Sequence, residues 1–113
     1  MRVLSVIVSL ILPLPVFAAV VEYDLDIGTT VVNITGEEVA ALAIDGQVPA
    51  PTLRAELGDT LQVSFHNRLN EPTSVHWHGI LLPADQDGVP HLNTQPILPG
   101  QTHTFEFAIT HTG

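Results

Sequence analysis

The chain of 113 residues has no cysteine and no lysine, and its only methionine is Met1. Without cysteine, neither a disulfide framework nor a thiolate metal site can form within these residues. Without an internal methionine there is no thioether ligand and no methionine-rich surface for soft metals. The cations are Arg2, Arg54 and Arg68 against 12 acidic residues, a formal net charge of -9, so nucleic acid is excluded as a partner on charge. A 3.6-residue apolar period is also missing after Ala19, which removes helical bundles from the candidate folds.

What is present fits one small globular domain, with 45% hydrophobic and 13% charged residues. Residues 1–18 read as a secretory signal peptide. Arg2 supplies the positive start, Val3 to Phe17 is almost wholly apolar, and Val16-Phe17-Ala18 offers a small-residue cleavage context after Ala18. Pro13 and Pro15 interrupt the run, which is short for a span of about 20 residues, so export is favoured over a membrane anchor. The destination is periplasmic or extracellular.

Residues 19–113 read as short β-type runs separated by Gly, Pro and Asn. Val20 to Ile27 predicts a strand ending at Gly28, Thr29 to Thr35 a second, and Glu38 to Ile44 a third before an Asp45-Gly46 turn. Asn33-Ile34-Thr35 matches a glycosylation acceptor, informative only in a source that glycosylates exported proteins. Pro49-Ala50-Pro51 predicts a surface connection into a strand at Thr52 to Leu57. Thr60 to Asn67 alternates, with Leu61, Val63 and Phe65 inward and His66 facing solvent; Thr102 to Ile109 puts His103, Phe105, Phe107 and Ile109 on one face. The class is all-β, an antiparallel sandwich or Greek-key barrel.

Between those strands lies Val75-His76-Trp77-His78-Gly79-Ile80. On a strand of period two, His76 and His78 project from one face and Trp77 from the other. Their Cα atoms then lie roughly 6.5 to 7 Å apart, and both imidazoles can converge on one metal or on two neighbouring metals. Gly79 either admits a ligand or backbone beside the second imidazole or marks a bulge. The following loop carries Asp85 and Asp87, which can support the pair from behind or carry protons, although acidic loops are usually just solvated.

The ordered set Asp45-Gly46-Gln47-Val48-Pro49-Ala50-Pro51-Thr52-Leu53, Gly58-Asp59, Asn67, His76-Trp77-His78-Gly79, Asp87-Gly88-Val89-Pro90 and Gln95-Pro96-Ile97-Leu98-Pro99-Gly100 before Phe105-Glu106-Phe107 resembles the first cupredoxin domain of the multicopper oxidases, the group containing laccases and copper-tolerance oxidases. The resemblance runs from about Ile44 to Gly113 and implies a cupredoxin-like Greek-key β-sandwich or barrel over 19–113, incomplete at its C-terminal end. It implies copper as cofactor, with His76 a type 2 ligand and His78 a type 3 ligand of a trinuclear cluster that reduces dioxygen to water. A small-molecule or metal-ion reductant would supply the electrons. The family needs eight cluster histidines in four His-x-His pairs and a type 1 cysteine, and only His76 and His78 match here. Remaining cupredoxin domains of a longer chain, or partner subunits, would have to supply the rest, and the segment alone is expected to be inactive. His91 and His103 match no family ligand, His111 reads as noncatalytic, and Ala50 replaces a usual glycine.

Two other readings compete. One is a noncatalytic copper-binding cupredoxin module. The other is a mononuclear β-fold enzyme of cupin type, which expects a glutamate shortly after the second histidine, where this chain has Leu82 and Pro83.

Overall fold

The computed structural model describes residues 18–112. The expected signal peptide therefore lies outside the described residues apart from Ala18. Four strands, β1 (Val20–Asn33), β2 (Glu38–Ile44), β3 (Thr60–Asn67) and β4 (Thr102–Ala108), form one open sheet in the order β2-β1-β3-β4. The all-β expectation holds. One pairing departs from the antiparallel expectation, because β1 and β3 run parallel, from Val20 opposite Thr60 to Ile27 opposite Asn67. The β1–β2 and β3–β4 pairs are antiparallel.

Gly28 does not end a strand. β1 continues through it because its partner changes there: β3 flanks residues 20–27, and β2 takes over from Ile27 opposite Ile44 to Asn33 opposite Glu38. Ladder bonds thus continue through a residue whose type alone suggests a stop. The Asp45-Gly46 turn is as expected, with both residues at positive φ (50° and 69°) and Ile44 bridged to Gln47, the geometry of a two-residue hairpin.

The core follows the period-two reading. Leu25, Ile27, Leu61, Val63, Phe65, Phe105 and Phe107 are buried on one face and are joined by Leu69 and Ile97. On the other face, Gln62 meets Glu106, Ser64 meets Thr104 and His66 meets Thr102, all through side-chain hydrogen bonds near solvent. His66 also lies 3.3 Å from the Asp24 carboxylate. Its solvent-facing reading stands.

Thr52–Leu57 is not a strand. Among the described residues no ladder flanks it; the Tyr23 hydroxyl holds it instead, donating to the Arg54 carbonyl and accepting from the Arg54 N–H, both at 2.9 Å. Asp59 closes the following turn, its carboxylate accepting the N–H of Glu56 at 2.8 Å and of Ala19 at 3.0 Å. Those two bonds, Glu56 first, hold its carboxyl below the usual carboxylate range.

Candidate metal centre

The histidine segment is not on a laddered strand either. Residues 75–78 make no ladder among the described residues, yet the alternation survives: His76 and His78 are exposed while Trp77 turns inward. Individual contacts do the work of a ladder. The Trp77 ring packs edge-on against Phe107 (5.2 Å between centroids) and Phe105 (5.7 Å) and tilts over Phe65 (6.2 Å), so the inward residue is fixed by the sheet's core. Upstream, Thr73 and Ile97 exchange backbone hydrogen bonds at 3.0 and 2.8 Å. Behind both sits Asn67, fully buried, whose side-chain N–H groups donate to the carbonyls of Glu71 and Ile97 while its oxygen accepts from Leu69 N–H.

With Trp77 inward, the two imidazoles share the outer side, their ring centroids 5.1 Å apart and nearly perpendicular. His76 Nδ1 lies 2.7 Å from the Asp87 carbonyl oxygen. A carbonyl only accepts, so Nδ1 carries the proton and Nε2 presents a free lone pair. This is the arrangement that orients a metal-binding histidine. The Asp87 carboxylate is 3.5 Å from the same nitrogen. Of the two acidic loop residues, then, Asp87 reaches the histidine pair, whereas Asp85 is exposed and has no hydrogen bond to either ring among the described residues.

The donor chemistry suits a borderline metal such as copper: two imidazoles, one with its Nδ1 proton held by a carbonyl and its Nε2 turned outward. It is also incomplete by itself. Among the described residues no set of three His, Cys, Asp or Glu side chains converges on a point where a metal could sit.

Gly79 has a different role from either one expected. Its φ is +75°, and a side chain there would meet nothing within 4 Å, so the glycine serves a left-handed bend rather than a close approach. Gly79 borders a cavity of about 600 Å³ lined by Leu53, Leu61, Trp77, His78, Ile80 and His111 among others. His111, read as noncatalytic, places Nε2 at 3.4 Å from the Gly79 carbonyl oxygen and from Leu81 N. His103 lies edge-on to Phe105 at 4.5 Å, and His91 sits exposed in a turn with φ 63°.

The sequence reading missed the close approach at Gly88. A Cβ built on Gly88 would fall 1.7 Å from the Val75 carbonyl oxygen and 3.3 Å from His76 Cα. The only sequence signal was the Asp-Gly pair itself, which reads equally well as an ordinary turn.

The chain is similar to known proteins along most of its length. A family profile described as "Multicopper oxidase" matches residues 26–113. "Copper resistance protein A" of Escherichia coli is 49% identical over 104 residues, covering 90% of this chain and 17% of that protein. "Dihydrogeodin oxidase" of Aspergillus terreus is 40% identical over 97 residues, covering 82% of this chain and 16% of that protein. Among solved structures, a multi-copper oxidase from Pseudomonas thermotolerans superposes with a TM-score of 0.80 at 37% identity, over 85% of this chain and 24% of that one. The chain spans about one sixth of the length of the curated relatives it matches.

Proposed function

Because this chain belongs to the multicopper oxidase family, we propose that His76 and His78 are copper ligands, contributed to a site that the rest of a longer, exported protein completes. In this reading residues 1–18 are a cleaved leader and 19–113 belong to the first cupredoxin domain. His76 serves a type 2 copper and His78 a type 3 copper, with further histidines arriving from other domains or subunits. Copper held there would supply one-electron chemistry between a small-molecule or metal-ion reductant and dioxygen.

The observation that carries the reading is the hydrogen bond from His76 Nδ1–H to the Asp87 carbonyl, which fixes the tautomer and leaves Nε2 outward beside His78. The chain's own residues then have separable tasks. Trp77 clamps the segment to the sheet and so fixes the backbone from which the two rings project. Asp87 orients one ring through its backbone and places a carboxylate where a proton can be held at the margin of the site.

The test is substitution in the full-length protein. His76→Ala or His78→Ala should abolish oxygen consumption and reduce bound copper while leaving type 1 copper in place. Full turnover in either variant would remove the assignment. A full-length protein binding at most one copper weakly, without the optical signature of a coupled copper pair, would favour the noncatalytic module.

A further inference from the structure

The loop after the histidine segment touches the molecule at three consecutive residues, each in a different way. Gln86 ends the 3-10 turn Ala84–Gln86, and its side-chain oxygen accepts the Glu106 N–H of edge strand β4 at 2.8 Å. Asp87 accepts the His76 Nδ1–H. Gly88, buried and at φ +78°, lies so close to the Val75–His76 backbone that no side chain fits between them. The loop is thus fastened to the sheet on one side and pressed against the histidine's own backbone on the other.

We propose that Gln86 and Gly88 are positioning residues for the His76 imidazole, Gln86 by tying the loop to β4 and Gly88 by letting it close on the Val75–His76 backbone.

The Asp87 carbonyl must stand 2.7 Å from His76 Nδ1 to fix the ring, and that oxygen belongs to a loop with no ladder of its own. A loop carbonyl is a dependable acceptor only if its flanks are fixed. The residue before it is anchored by one hydrogen bond to an edge strand, and the residue after it by backbone contact. Glu106 N–H would otherwise be an unpaired edge donor, so the Gln86 bond also satisfies a group the sheet leaves open. Ordinary loop residues would not serve. A leucine at position 86 keeps the size and loses the acceptor, and an alanine at 88 must displace the Val75 carbonyl, moving the His76 backbone with it.

This inference rests on His76 being a copper ligand, and the experiment separates the two. The copper-loaded full-length protein is compared with Gln86→Leu, Gln86→Glu, Gly88→Ala and His76→Ala. The readouts are the type 2 copper hyperfine splitting by electron paramagnetic resonance, copper affinity by chelator competition, and Tm. Outer residues that orient a metal-binding histidine typically change affinity by about 10- to 100-fold. Gln86→Leu should shift the splitting and weaken type 2 copper by about 10-fold with Tm nearly unchanged, and Gln86→Glu, which keeps an acceptor oxygen, should restore both. Gly88→Ala should be the more severe; if it does not fold, the Gln86 pair still decides. A wild-type splitting and affinity in Gln86→Leu, or equal damage in Gln86→Glu, would overturn the proposal. If His76→Ala itself keeps the type 2 signal, the ligand reading falls and the positioning role falls with it.

Discussion

The laddered sheet and the stretch between β3 and β4 solve the same problem in opposite ways. In the sheet, position is set by many equivalent backbone bonds, and the side chains only have to alternate between core and solvent. Among the described residues no strand lies between Arg68 and Gln101, and position there is set by a few unlike contacts: the Asn67 amide, the Trp77 ring, the Thr73–Ile97 pair, the Gln86 side chain and the bare backbone at Gly88. The histidines sit in the second region. Redundancy makes the sheet tolerant of small changes, whereas each contact in the loop region has no substitute.

The largest effect on stability should still come from the sheet. Phe105 is 1% exposed and contacts both Phe65 and Trp77, so Phe105→Ala should destabilise by about 4 kcal/mol and loosen the histidine segment as well. A urea titration that shows less than about 1 kcal/mol would mean that the core is not shared between the two regions.

Asn67→Ala comes next, at roughly 3 kcal/mol, because it orphans two carbonyls and an N–H around a fully buried site. It sharpens the contrast: one polar residue at the end of β3, whose amide holds the backbone of the loop region, should cost nearly as much as an aromatic ring in the core. If Asn67→Ala were neutral, the few-contacts account of the loop would fail.

The sheet and the loop region also differ in how far the sequence alone reveals them. Leu61, Val63, Phe65, Phe105 and Phe107 announce their burial by alternation, because a ladder imposes period two and burial of one face does the rest. His76 and His78 were legible for the same reason, and their outward alternation survives even though the ladder expected to impose it is absent from the described residues. What could not be read was contact at a distance. Gln86 reaching Glu106, Gly88 touching Val75 and Asn67 gathering three backbone groups depend on tertiary placement and leave no periodic trace. The continuation of β1 through Gly28 was hidden similarly, since a change of ladder partner has no signature in residue type.

A smaller effect is expected in acid. Asp59 is held below its ordinary value of about 4 by two backbone N–H groups, so its carboxylate contributes stability above that unfolded-state value. The contribution is lost as pH falls through the lower folded-state value. Stability measured from pH 6 down to pH 2.5 should decline, and Asp59→Asn should show a shallower slope in the lower part of that range. An identical slope in the variant would assign the acid sensitivity elsewhere. Smallest of all should be His66→Ala on the solvent face of the sheet. Its hydrogen bond to Thr102 and its contact with Asp24 are partly screened by water, so the change should stay below about 1 kcal/mol. A larger loss would show that the sheet, too, depends on single contacts.

The pairing of β3 with β4 bears on the order of assembly. Thr60 lies opposite Ala108 and His66 opposite Thr102, so every residue from Arg68 to Gln101 is enclosed in the loop that this ladder closes. Gln86 also needs β4 in place before it has a donor to accept from. The β1–β2 hairpin can form early because its closing turn spans only a few residues, but the β3–β4 closure is long-range and entropically late. The ordered imidazole pair therefore depends on the same long-range closure that adds β4 to the sheet.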